Sequence, residues 1–267
     1  TEVPVQGTGG SVRDGVPFVA TQTRAVEQVN PDAFIQAIDA AVDAAEEAFA
    51  VWAHEQHTRV FTGILAALTP IRDDEDDRLL SDVLQGWTVH RLFDPDAFSE
   101  EVRPGTIEKL KALAADVIVK VAAEIKDETI IGAVDYEQLI TARANRLIDG
   151  TDDYVGWGRE LAEELEAKLT TAFEEGHSVG RFTQDVADML GVDPENPDAG
   201  TMSRARRIAR TELNGTASDV TMESMRRSRV VTGKYWYNPI DGATRPSHAE
   251  AAIVYGPGNP IPVDAKF

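Results

Sequence analysis

Asp241, Arg245 and His248 place a carboxylate, a guanidinium and an imidazole within eight residues, the side-chain types of acid–base chemistry. Nucleophilic catalysis would also need a Ser or Cys beside a base that is itself oriented by a third group. The chain has no cysteine, and Ser247 adjoins His248 only in sequence. The better reading is a structural clasp, with Asp241 accepting from Arg245 or from turn amides and His248 pinning the loop. His54-Glu55-Gln56-His57 has its imidazoles at i, i+3. A zincin helix needs i, i+4 and a further ligand. Asp73–Asp77 lacks the alternating ligands and central Gly of a calcium loop. Gly7-Thr8-Gly9-Gly10 lacks the strand and helix that flank a dinucleotide fingerprint. The expectation is a protein without catalytic residues, metal or cofactor.

The sharpest electrostatic feature is a basic island in an acidic chain. Between Thr201 and Lys234 lie Arg204, Arg206, Arg207, Arg210, Arg226, Arg227, Arg229 and Lys234, against Glu212, Asp219 and Glu223. On a helical wheel Arg204, Arg207, Arg226 and Arg229 fall opposite a stripe of small residues, while Arg206 and Arg210 flank it. The planar guanidinium fork suits phosphates and carboxylates alike. One reading makes these four arginines a contact surface for packaged DNA or an acidic partner. The other makes them an internal sink for the chain's own carboxylates.

These residues must be positioned by helices. Asn30-Pro31-Asp32 is a helix start, and a long helix with its stripe at Phe34, Ile38, Ala41, Ala45, Phe49 and Trp52 is predicted to end at Thr69-Pro70. A connector spans Gly86 to Pro95, and a short helix leads to Arg103-Pro104. Gly105-Thr106 then opens the clearest amphipathic helix, with Ile107, Leu110, Ala114, Val117/Ile118, Val121 and Ile125 on one face. Further helices are expected over Tyr136–Ile148, from near Asp153 to Glu175 before Gly176, and over Val179–Leu190 between Ser178 and Gly191. The arginine-rich helix covers about Thr201–Arg229, with Met202, Ala205, Ala209, Leu213, Ala217 and Val220 as its small-residue stripe. After Gly233 the period turns to alternation. Residues 1–29, rich in Gly, Thr, Val and Pro, read as an extended arm that needs a partner surface to be ordered, or equally on composition as a disordered tail. The expected fold is mainly α: a bundle-like array of long helices, a small C-terminal β-hairpin element and an extended N-terminal arm. The expected division is 1–29 arm, 30–150 helical domain and 151–267 C-terminal domain.

Composition narrows the classes. Of 267 residues, 46 are acidic and 26 basic, a net charge of −20, and there is no cysteine. Lys is scarce beside Arg. This balance fits a protein kept soluble at very high salt, where screening removes the self-repulsion; the other reading is simply an acidic mesophilic protein. No stretch approaches the ~18 uninterrupted apolar residues of a membrane span, so no membrane partner is expected. No basic segment leads into an apolar run, so no secretory signal is read.

Ile208-Ala209-Arg210-Thr211-Glu212, then Lys234-Tyr235-Trp236, then Asp241 through Thr244-Arg245 to His248, then Gly258-Asn259-Pro260-Ile261-Pro262-Val263 and Phe267 follow one another in order. That order, over roughly residues 150–267, resembles the head-morphogenesis (phage Mu F-like) minor capsid proteins of tailed viruses. The resemblance implies that Arg210, Thr211, Glu212, Trp236, Asp241, Arg245 and His248 are signature positions of the fold rather than an active site. It implies a non-enzymatic virion protein at the portal vertex inside the head, acting in assembly, DNA packaging or ejection. Its implied partners are the portal protein, other virion proteins and packaged viral DNA, with multiple copies or ring association and passage through the host cytoplasm during assembly. Joined to the composition, it points to a virus of a salt-loving archaeon. The first ~150 residues lie outside the resemblance. The chain begins at Thr1 and stops where the family motif continues, so both ends read as edges of something longer. Two other functions fit the residues: the binding module of a virion-borne toxin or effector, and a free DNA-binding protein.

Overall fold

The computed structural model describes residues 19–22, 29–72, 79–80, 88–196, 200–235 and 246–265. Among these the fold is mainly α-helical with a small antiparallel sheet built largely from the C-terminal part of the chain. Trp236, Asp241, Arg245, Phe267, Asp73–Asp77 and residues 1–18 lie outside the described residues, as does the side chain of His248.

Asn30 caps α1 (Pro31–Arg72), its Oδ1 accepting from the amides of Asp32 and Ala33. The helix passes through Pro70 rather than ending there. A proline this close to a C-terminus removes one backbone bond from a turn that is nearly finished. After the short α2 (Val89–Leu92), α3 (Pro95–Ile125) is one helix with Pro104 inside it, where the sequence predicts a break. Gly105, predicted to open a helix, has a different use. A Cβ there would lie 2.6 Å from Trp52 Nε1, so the missing side chain is what lets α1 and α3 approach.

Asp127 caps a 3-10 turn (Glu128–Gly132), and Asp135 caps α4 (Tyr136–Asp149). The next helix does not begin near Asp153. Residues Gly150–Thr151 (β2) and Tyr154–Val155 (β3) form a minimal hairpin, and α5 runs Trp157–Glu175. Gly150 has φ +81°, the region glycine enters without a Cβ penalty. The expected Gly176 and Gly191 stops are both left-handed C-caps, and Ser178 accepts from Arg181 N at the start of α6 (Val179–Leu190). Helix α7 spans Ser203–Arg227, and most of its predicted stripe is core: Ala205, Ala209, Leu213, Ala217 and Val220 are buried, whereas Met202 is half-buried and precedes the helix at φ +53°.

Strand β4 (Val231–Tyr235) follows, then α8 (Pro246–Val254) and β5 (Ile261–Pro262). The predicted closing strand is therefore present, but a nine-residue helix stands between it and β4, with Pro246 opening that helix. Sheet order is β1-β4-β5, where β1 is Val19–Gln22. Val19 pairs with Tyr235 and Ala20 with Lys234, both antiparallel, with a register shift between Thr21 and Gln22. The surface that orders this part of the N-terminal segment is the chain's own β4.

The chain divides into two compact units. The first comprises Thr1–Ala37, Val119–Val134 and Thr221–Phe267; the second comprises Ile38–Ile118 and Asp135–Val220. In the second, Trp157 is buried and meets Trp52, His57 and Phe98 edge-on at centroid distances of 5.9, 5.6 and 5.2 Å. Such edge-to-face contacts add roughly 0.5–1.5 kcal/mol each beyond area burial.

Candidate functional site

Within the second unit, the exposed and half-buried face of α7 is where sequence and structure converge. Arg143 on α4 reaches Glu212 at 2.9 Å through Nε and Asp219 at 3.5 Å through Nη1. The Glu212 side chain is 6% exposed. Its burial raises the carboxyl above the usual range, opposed by the Arg143 charge and hydrogen bond. One partner for a buried carboxylate is the arrangement that breaks most severely when that partner is removed. Gly215 makes the approach possible, since a Cβ there would overlap the Arg143 guanidinium. Arg210 is held by both oxygens of Glu46 on α1, at 3.1 and 2.9 Å. Arg206 reaches Glu47 at 3.3 Å.

Arg204, placed on the contact surface by sequence, is buried. It is held by Glu164 and, at 3.4 Å, by Glu160 on α5. Arg207 is exposed and makes no ion pair among the described residues. A shallow cleft of about 390 Å³ lies between α7, α5 and the β2–β3 hairpin. Arg207, Ile208 and Thr211 line it from α7, Tyr154 and Val155 from the hairpin, and Glu163 from α5. Arg146 lies 5.6 Å over the Tyr154 ring, and burial, then the charges of Glu212 and Glu160, raise the phenol above its ordinary pKa. Among the described residues the cleft thus presents the Arg207 guanidinium without an ion pair, apolar side walls and carboxylates from α5.

Within the first unit, Arg226 reaches Glu223 at 3.5 Å and Asp264 at 3.6 Å, and Arg227 reaches Glu223 at 2.7 Å. Arg229 is exposed, with no side-chain ion pair among the described residues. Lys234 is buried in β4, which lowers its ammonium pKa, with Arg226 adding to that effect and Asp264 opposing it.

Two constellations mimic catalytic pairs. Ser228 Oγ donates to Asp127 Oδ2 at 2.7 Å, but both residues are buried. The same hydroxyl accepts from the amides of Val230 and Val231. The aspartate also accepts from Arg229 N and from Thr129 N and Oγ1. This is a capping network, with no base free to activate the serine. His177 sits between Asp185 and Glu175 at 3.1 and 2.9 Å, so both ring nitrogens are taken. His54 and His57 are buried, and neither ring has a hydrogen-bond partner among the described residues.

The structure places Arg210, Thr211 and Glu212 together on one stretch of α7, with Arg210 and Glu212 each engaged by a residue far away in sequence. Sequence reasoning named these but missed their partners Glu46 and Arg143, and it missed Gly215. A glycine inside a helix that otherwise reads as continuous was the available signal. For Asp127 and Ser228, 101 residues apart, no sequence signal exists. No protein-family model, curated protein or solved structure matches this chain.

Proposed function

We propose that this protein is a non-enzymatic minor head protein of a tailed virus, acting at the portal vertex inside the capsid in assembly, DNA packaging or ejection. The observation that carries the reading is the use made of the Arg210-Thr211-Glu212 signature on α7. Its arginine and glutamate are tied to Glu46 and Arg143 as structural braces, which suits signature positions of a fold better than an active site. The β4 strand that follows is the centre of the sheet, closed on one side by the Ile261–Pro262 strand, in the order the resemblance implies.

The pairing of Arg204, Arg206, Arg210, Arg226 and Arg227 with the chain's own carboxylates weighs against a free DNA-binding protein, which needs its cations unspent. Within the proposal, the exposed Arg207 and Arg229 remain the contact candidates. The test is mass spectrometry of purified particles from the virus whose genome encodes the chain. The protein should be present in DNA-filled heads separated from tails and should co-sediment with the portal after mild disruption. Its absence from heads overturns the proposal.

A further inference from the structure

We propose that the buried His57 of α1, set against Trp157 of α5 and Arg204 of α7 with His54 beside it, makes the packing of the second unit acid-sensitive. The geometry carries this. His54 and His57 are 5% and 0% exposed, and none of their four ring nitrogens has a hydrogen-bond partner among the described residues. The His57 ring stands edge-on to Trp157 at 5.6 Å, an apolar neighbour. The charged group facing it from α7 is Arg204, whose sign is the same as that of an imidazolium. The carboxylates nearest that arginine, Glu164 and Glu160 of α5, are already engaged by it. From α6 the Leu190 carbonyl favours the charged ring, but no hydrogen bond to it is formed. A proton arriving on His57 would therefore meet a desolvated site, a guanidinium and a second imidazole, with the Leu190 carbonyl too weak a counterweight to restore the ring's ordinary pKa.

Burial, then Arg204 and His54, hold His57 down to about 3 from its ordinary 6.5. A histidine depressed in the folded state contributes fully above the unfolded pKa, and its contribution falls as pH drops below that value. Opening α1 away from α5 and α7 releases the ring to water, where it binds a proton readily. The closed state then loses about tenfold in its equilibrium for each pH unit below ~6.5, reaching about 30-fold at pH 5.

The experiment is denaturant unfolding of the full chain at pH 7.5 and pH 5 at one fixed salt concentration, for the parent and for His57→Gln. The parent should lose about 30-fold more in its unfolding equilibrium between the two pH values than the variant does. Equal losses overturn the proposal, because Glu212, His177 and the ion-paired carboxylates are common to both chains. If His57→Gln does not fold, nuclear magnetic resonance titration of the parent decides. The five histidines can be assigned by replacing the other four in turn. The His57 ring should stay neutral while the chain is folded at pH 5, and a His57 that takes its proton near pH 6.5 in the folded chain overturns the proposal.

Discussion

Arg143 crosses α7 at the point where Gly215 has no side chain, and only that gap lets its guanidinium reach Glu212 and Asp219. Helix propensity alone favours alanine over glycine by about 1 kcal/mol, so Gly215→Ala on a bare helix would stabilise. Here it should destabilise by about 1–3 kcal/mol, because the added methyl displaces the flexible guanidinium and leaves the buried Glu212 carboxylate without its partner. In an Arg143→Ala background the same change should be neutral or favourable. A double-mutant cycle by thermal unfolding measures the coupling; additive effects would show that the glycine serves something else.

Arg204 and Arg207 lie three residues apart and should behave oppositely. Arg204→Glu buries a carboxylate against Glu160 and Glu164 and should cost at least about 3–5 kcal/mol, the range for an uncompensated buried charge. Arg207→Glu should leave the melting temperature within the scatter of surface changes, about 0.5 kcal/mol. Arg229→Glu should do likewise. If the proposed function holds, Arg207→Glu or Arg229→Glu should still lower incorporation into heads.

Asp127 gathers Ser228 Oγ, Arg229 N, Thr129 N and Thr129 Oγ1 on one carboxylate. The Thr129 hydrogen bond is the main cause holding its pKa below the ordinary aspartate value, with burial opposing. A depressed carboxyl stabilises fully above the unfolded pKa and loses that contribution as pH falls through the folded one. Asp127→Asn should therefore flatten the acid limb of the stability curve below about pH 4. Ser228→Ala should cost about 1 kcal/mol at neutral pH. An unchanged acid limb in the Asn variant would remove Asp127 from the network's energetics.

A net charge of −20 leads to a salt prediction. Dialysis from molar salt to dilute buffer should reduce the helical circular dichroism signal, because screening of that self-repulsion is lost. An unchanged signal and melting midpoint in dilute buffer would count against the high-salt reading of the composition.

Elements whose limits are set by local chemistry were legible in the sequence. Asn30, Ser178, Gly176 and Gly191 each mark a helix end through a cap that one or two residues determine. Pro70 and Pro104 misled for the converse reason. A proline penalises a helix locally, but apolar residues on either side of Pro104, Phe98 and Val102 before it and Leu110, Leu113 and Ala114 after it, are buried and outweigh one lost backbone bond; Ile107 is only half-buried. The β2–β3 hairpin and α8 are short elements stabilised by neighbours rather than by their own periodicity, so no pattern announced them. The arginine stripe was visible, but its partners were not. Arg206 meets Glu47 across 159 positions and Arg210 meets Glu46 across 164, and composition cannot assign such pairs.

The pairing of Val19 with Tyr235 also has a consequence for biosynthesis. On the ribosome, β1 emerges early and has no strand to join until more than two hundred further residues have been made. The second unit ends at Val220, whereas the first needs residues up to and beyond Tyr235. Contacts this distant form slowly, because loop closure must precede any gain from them. The helices of the second unit can consolidate before β4 is made, and the sheet must wait until Val231–Tyr235 have left the ribosome. A ribosome stalled between Val220 and Tyr235 would hold a nascent chain whose β1 still has no strand beside it.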